Sequence, residues 1–376
     1  MWKFPLYEIN QPVDWEAMEA RFDWLQDMRG VPQDPLWHAE GDVYVHTQMV
    51  AKALTDMLAY QQLSEQDQHI LFAAALLHDV EKRSTTTTEV IDGEERIVSP
   101  KHAKKGENTT RTFLFEVLET PFAIREQVAK LVRLHGLPLW AIEKEDPRKA
   151  VIEASLVVNT AMLAMLARAD VLGRICGDQE ELLLKIDLFE ELCRENDCHG
   201  TAYPFKSDYG RFLYLNRPEM SPDYEPYEDH TFTVHVMCAL PGTGKDTFIA
   251  KNMDMPMLSL DAIRREKKID PTDKKAQGMV IQEGKEQAKV LLRQKAPFVF
   301  NATNLTMDRR GKWISLFLDY GARVKITYLE VPYKRLLSQN HQREHKVPEK
   351  VVHKMIRSLE VPMPKEAHEI AYVVNQ

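Results

Sequence analysis

At 376 residues, 44% of them hydrophobic and 28% charged, the chain is long enough for two ordinary domains, each with its own core. A net charge of -8 excludes a protein that coats duplex nucleic acid by bulk electrostatics, but not one gripping a polynucleotide end with a local basic cluster. Four cysteines are too few for a disulfide scaffold, MWKFPLYEINQPVDWE lacks the features of a signal peptide, and no apolar run approaches the roughly 18 residues of a membrane span. A cytoplasmic chain without membrane association is expected.

Residues 1–200 read as helical. Apolar positions recur at helical spacing in VYVHTQMVAKALTDML, HILFAAALLHDV, TRTFLFEVLE and NTAMLAMLARADVLGRI. The irregular stretch 82–102, with Thr, Gly and Pro, reads as a loop or small hairpin covering the adjacent His78-Asp79 pair. That pair closes an apolar helix, where burial without a partner would be costly. His46 lies upstream; His102, His135 and Asp170 follow downstream, and imidazole and carboxylate from several helices can converge on a metal cluster. His69 reads as an ordinary helix histidine, and Cys193, Cys198 and His199 are a ligand short of a metal knuckle.

Residues 203–230, rich in prolines, tyrosines and acids, read as the linker region, with 216–230 as the linker proper between domains at 1–215 and 231–376. Beyond it, strands TFTVHVMC, MLSL, PFVFNA, ARVKITYLEV and IAYVV alternate with helices over 273–295, 308–319, 332–342 and 348–359. That order implies a parallel sheet with helices on both faces. The fold class is therefore an all-α helical domain followed by an α/β domain with a parallel sheet.

The first strand runs into ALPGTGKDTF, a variant of the G-x-x-x-x-G-K-[ST] phosphate loop with Ala239 for the first glycine and Asp246 for the final hydroxyl. Amides of Gly242, Thr243, Gly244 and Lys245 can point at phosphate oxygens, aided by the helix N-terminus. Lys245 would reach the β/γ-phosphates. Asp246 can supply a hard oxygen ligand to Mg²⁺, and Thr247 keeps a hydroxyl nearby. After the second strand, Asp261 can take the proton of an attacking hydroxyl and Arg264 can hold a phosphate on the acceptor. Asn301-Ala302-Thr303-Asn304 follows the third strand, and Arg343 lies where a lid arginine would meet donor phosphates. The basic clusters Lys101/Lys104/Lys105, Arg264/Arg265/Lys267/Lys268 and Arg309/Arg310/Lys312 read chiefly as solvated faces.

In this order the C-terminal blocks resemble the polynucleotide 5′-hydroxyl kinase family. The resemblance implies Asp261 as general base, Arg264 on the acceptor's neighbouring phosphate and Arg343 on transferred charge. Gln339 and Asn301 depart from the family's lid arginine and third-block acid. The N-terminal blocks resemble the HD phosphohydrolase superfamily. That implies a first metal on His46, His78, Asp79 and Asp170, with Asp79 bridging to a second on His102 and His135; Lys82 and Arg83 are candidates for substrate phosphate, and His38 a weaker one. Together the halves resemble the bacterial HD–polynucleotide kinase family of end-healing enzymes. The resemblance implies hydrolysis of 2′,3′-cyclic phosphate or phosphate ends and NTP-dependent phosphorylation of 5′-hydroxyl ends of RNA or DNA. It further implies ATP or GTP with Mg²⁺, two Mn²⁺, Co²⁺ or Ni²⁺ ions, and a functional link to a polynucleotide ligase in RNA or DNA repair. The rivals are an HD nucleotidase fused to a nucleoside or metabolite kinase, and a nucleotide sensor without turnover. Nucleic-acid type, donor, metal and oligomeric state stay open.

Overall fold

The computed structural model describes residues 1–270 and 273–374. They form two compact units, Met1–Pro204 and Phe205–Gln376.

The first unit is helical around Glu65–Leu77, whose residues Gln68–Leu77 are all buried. A helix buried on every side needs no amphipathic stripe. Ser64 caps it by accepting from the Asp67 amide. Around it pack the helices Val43–Asp56, capped by Asp42; Phe122–Leu134; and Thr160–Leu172, capped by Asn159. His102–Glu116 pairs with Phe122–Leu134. The stretch after His78-Asp79 contains the antiparallel hairpin β1 (Thr87–Ile91) and β2 (Glu94–Val98). Its turn is Asp92-Gly93, both at positive φ, the conformation that matches the twist of a two-residue hairpin.

The second unit holds a five-stranded parallel sheet of β3 (Thr233–Ala239), β4 (Met257–Ser259), β5 (Phe298–Asn301), β6 (Arg323–Glu330) and β7 (Glu369–Val374), in the order β4-β5-β3-β6-β7. Val234, Val236, Met237, Cys238 and Ala239 are all buried, as in a strand covered on both faces. The Lys245–Asn252 helix, which starts from the glycine-rich turn, docks Ile249 against Met237, Val299 and Leu329. Phe298 and Phe300 pack on Phe317, and Phe300 also on Trp313, so truncating Phe300 to alanine should cost about 3–5 kcal/mol.

Two expectations need correction. The compact units part at 204/205, not at 215, because Asp208–Asn216 is a helix inside the supposed linker region. Its contacts are with the second unit: Arg211 donates to the His368 carbonyl at 2.7 Å, Asn216 to that of Lys365 at 2.9 Å, and Phe212 packs on His368. Arg310 belongs to no solvated face. It is 0% exposed and forms a two-bond ion pair with Glu366 at 2.6 and 2.8 Å.

Candidate active sites

In the helical unit the expected residues meet. His46 lies in the first turn of its helix, His78 caps the central one, His102 opens and His135 closes two others, and Asp170 sits on the buried face of Thr160–Leu172. Asp79 joins two groups. Its Oδ2 is 3.6 Å from His46 Nε2 and 3.2 Å from His78 Nε2; its Oδ1 is 3.4 Å from His102 Nε2 and 3.9 Å from His135 Nε2. Asp170 Oδ1 lies 3.1 Å from His46 Nε2 and 4.0 Å from His78 Nε2.

The ring orientations are locked from behind. Nδ1 of His78, His102 and His135 each donates to the carbonyl three residues earlier: Ala75 at 2.8 Å, Ser99 at 2.7 Å and Val132 at 2.8 Å. With the proton on Nδ1, Nε2 keeps the lone pair that a metal takes. Nε2 of His46 and of His78 and Oδ1 of Asp79 are buried without a hydrogen-bond partner, which is costly unless an ion satisfies them. The donor set thus fits two divalent ions, with Asp79 offering one oxygen to each group.

Charge agrees with ligation. Burial raises the Asp79 carboxyl, but Lys82 and His78 outweigh it and hold it well below the usual carboxylate range. Asp170 is likewise held low, burial being outweighed by Arg174 and His46. Burial, with His78 beside it, lowers His135 to about 3, so its imidazole is neutral at pH 7. Lys82 lies 2.7 Å from Asp79 and 2.8 Å from Gln33. Arg174 grips Asp170 at 3.0 and 2.5 Å. Sequence reading missed Arg174 and Gln33; the signal for Arg174 was its spacing of four from Asp170. Arg83 turns away, to Asp27 at 2.6 Å. His38 bonds Glu40 at 2.8 Å, and His69 accepts from the Phe4 amide at 3.3 Å. His199 pairs with Glu190 at 3.1 Å.

In the α/β unit the glycine-rich turn lies at the C-terminal end of β3, the edge where such sheets bind ligands. Gly242 and Gly244 sit at φ 90 and 82. A Cβ on Gly242 would meet the Leu336 carbonyl at 2.6 Å, so both conformation and space require glycine there. Thr243 is buried and donates to the Leu240 carbonyl at 2.9 Å. Burial lowers Lys245, while Asp246 and Asp261 act to raise it and Arg343 to lower it, so these charges share one field. Asp261 is exposed and paired with Arg264, which also donates to Gln277 at 3.0 Å.

The two departures from the usual pattern touch each other. Asn301, at the end of β5, donates from Nδ2 to Asp246 Oδ1 at 2.9 Å, and its Oδ1 is buried without a partner. Amide oxygen and carboxylate are both hard ligands, so this pair fits a Mg²⁺ ion. Thr247 is exposed on the helix. On the Tyr333–Gln342 helix, Asn340 closes the following 343–346 loop through two bonds to Val347, at 2.7 and 3.1 Å. Gln339, its amide set to satisfy both neighbours, donates to the Gly242 carbonyl at 2.6 Å and accepts from Arg335 at 3.3 Å. It ties that helix to the glycine-rich turn. Arg343 is exposed at that helix's C-terminal end.

Known proteins resemble the chain in the same two places. The HD domain family matches residues 43–164 and the AAA domain family residues 234–362. No curated protein matches the chain. Among solved structures, the Pnkp1/Rnl/Hen1 complex aligns at 17% identity and a TM-score of 0.29, over 33% of this chain and 43% of that one. A putative kinase from Chloroflexus aurantiacus aligns at 16% identity and 0.32, over 39% of this chain and 89% of that one. A gluconokinase from Sinorhizobium meliloti aligns at 17% and 0.28, over 39% and 84%. At such scores these structures carry no argument about function. Among the described residues no single helix is long and apolar enough to cross a membrane.

Proposed function

We propose that this chain, an HD domain followed by a P-loop kinase-like domain, is a two-site enzyme that repairs the ends of broken polynucleotides. The helical site removes 2′,3′-cyclic phosphate or phosphate from one end, and the α/β site phosphorylates the 5′-hydroxyl of the other. The observation that carries this reading is the pairing, in one chain, of a two-group His/Asp cluster with a phosphate loop beside Asp261 and Arg264.

At the helical site His46, His78, Asp79 and Asp170 would hold one ion, and His102 and His135, with the other oxygen of Asp79, a second. Such a pair supplies an activated water and neutralises phosphate charge. Imidazole-rich ligation favours Mn²⁺, Co²⁺ or Ni²⁺. Lys82 and Arg174 present cationic groups beside the two carboxylates, suited to a phosphate ester there. Cytoplasmic location and a ligase that seals the healed ends belong to the same reading.

At the α/β site the amides of Gly242, Thr243 and Gly244 and the Lys245 ammonium bind the phosphates of ATP or GTP. Asp246 and Asn301 would hold Mg²⁺, which screens the donor phosphates. Asp261 takes the proton of the attacking 5′-hydroxyl as that oxygen bonds to the γ-phosphorus and the bond to the β,γ-bridging oxygen breaks, releasing the nucleoside diphosphate. Arg264 orients Asp261 and binds the acceptor's neighbouring phosphate. Arg343 meets charge on the transferred group.

The test is a 5′-hydroxyl oligonucleotide carrying a 2′,3′-cyclic or 3′-phosphate end, supplied with NTP and metal. The proposal expects a new 5′-phosphate and loss of the terminal phosphate. If neither end changes while free nucleosides or nucleotides react, the chain is a small-molecule enzyme pair instead.

A further inference from the structure

Three of the four histidines of the helical cluster are oriented by a carbonyl three residues back in their own segment. His46 is the exception. Its Nδ1 faces two acceptors from elsewhere in the chain, the Gly173 carbonyl at 3.2 Å and Glu40 Oε1 at 2.9 Å. Both can only accept, so Nδ1 carries the proton and Nε2 presents its lone pair toward Asp79 and Asp170.

The Glu40 side chain is 0% exposed and held on both oxygens. Oε1 also receives His38 Nδ1 at 2.8 Å, and Oε2 receives the Ile175 amide at 2.9 Å. The neighbouring Ala39 amide donates to the Ile175 carbonyl at 3.0 Å, which clamps this segment to the end of the helix bearing Asp170. Buried carboxylates are expensive unless fully satisfied, and this one has three donors.

His38, Glu40 and His46 also bring three donor atoms within 4.8 Å, a spacing that would suit a metal ion. Two facts argue against that use. An ion there would need a lone pair on His46 Nδ1, whereas a neutral imidazole has one lone pair and the main cluster needs it on Nε2. The second carboxylate oxygen is already taken by the Ile175 amide.

We propose that Glu40 is a positioning residue for the metal centre: it holds His46 in its Nδ1–H form, fixes the ring, and makes Nε2 a stronger ligand. The inference rests on reading His46, His78, Asp79 and Asp170 as metal ligands. Loss of such a partner behind a ligating histidine lowers metal affinity about 10–100-fold. The role demands a carboxylate. Glutamine would keep one acceptor oxygen and turn an N–H donor toward one of the three donors that Glu40 now accepts.

The experiment uses the full chain and Co²⁺ alone, followed by equilibrium dialysis and by the d–d absorption bands. Wild type, Glu40→Gln, Glu40→Asp and Glu40→Ala are compared, with His78→Ala as the blank for this site. Glu40→Gln should weaken Co²⁺ binding about 10–100-fold and shift the absorption bands while circular dichroism and melting stay near wild type. Glu40→Asp should retain part of the affinity. If Glu40→Ala fails to fold, the other two variants carry the comparison. Wild-type affinity and bands in Glu40→Gln would overturn the proposal. If wild type binds no more Co²⁺ than His78→Ala, the metal centre itself is refuted, and this inference with it.

Discussion

In the helical unit, four histidines and two aspartates meet, all but His102 buried, and every imidazole is held from behind by an acceptor. In the α/β unit, Asp246, Asp261 and Arg343 stand exposed beside a partly buried loop, with few side-chain bonds among them. Under the proposed function, the difference follows from what each site would bind. Transition-metal ions are small and need several oriented donors at once, so their site is assembled by folding. A nucleotide and a polynucleotide end are large, and their charges are met at an open rim where the parts can close around them. Removing one member should therefore collapse the first site and only grade the second.

The largest effect is expected at Asp79, the residue shared by both candidate metal groups. Asp79→Ala should abolish phosphoesterase activity on a 2′,3′-cyclic phosphate end while the 5′-kinase rate of the same preparation stays within about twofold of wild type. Residual phosphoesterase activity above a few per cent would show that one metal group works without the bridge, and the contrast between the sites would weaken.

Asp261→Asn comes next. It keeps the shape and removes the base, so the kinase rate should fall about 10²–10⁴-fold with little change in acceptor KM. A change confined to KM would make Asp261 a binding residue.

Asp246→Ala should lower the kinase rate on the order of 10²-fold and raise the Mg²⁺ requirement, since a metal ligand beside the phosphates supports several kcal/mol of charge stabilisation. Asp246→Ser should recover much of the loss, and Asp246→Ser combined with Asn301→Asp should recover more, because the acid is then returned to the strand end. Wild-type Mg²⁺ dependence in Asp246→Ala would leave Asp246 as a helix-terminal acid worth only about 0.3–1 kcal/mol. The smallest effect belongs to Arg83. Its ion pair with Asp27 is partly exposed, so Arg83→Ala should change stability by less than about 1 kcal/mol and leave phosphoesterase activity unchanged in a denaturation and rate comparison.

The same contrast governs what could be read without coordinates. The five strands of the α/β unit and most of its seven described helices were legible because apolar runs and helical periods alternate there and a glycine-rich turn marks the first crossover. The candidate metal ligands were legible because His-Asp at the end of an apolar helix has few other uses. Asp208–Asn216 was not legible: its apolar residues Phe212 to Leu215 are consecutive rather than periodic, and prolines flank it. Its signal was the Ser207 cap, which accepts from the Gly210 amide. Glu40, Arg174 and the Asp246–Asn301 contact were hidden for a different reason. Each depends on residues that lie side by side only after folding, and Glu40 reaches Ile175 across 135 positions. Arg310 misled because a basic cluster in sequence cannot reveal that Glu366 waits for one of its members inside the core.

The central claim is that one chain carries two independent active sites for the two ends of a break. It is tested most directly on a single oligonucleotide with a 5′-hydroxyl and a 2′,3′-cyclic phosphate, treated with Asp79→Ala, with Lys245→Ala, and with both proteins mixed. Asp79→Ala should add the 5′-phosphate alone, Lys245→Ala should open or remove the cyclic phosphate alone, and the mixture should do both. Loss of both activities in either folded single variant, or failure of the mixture to process both ends, would contradict two independent sites.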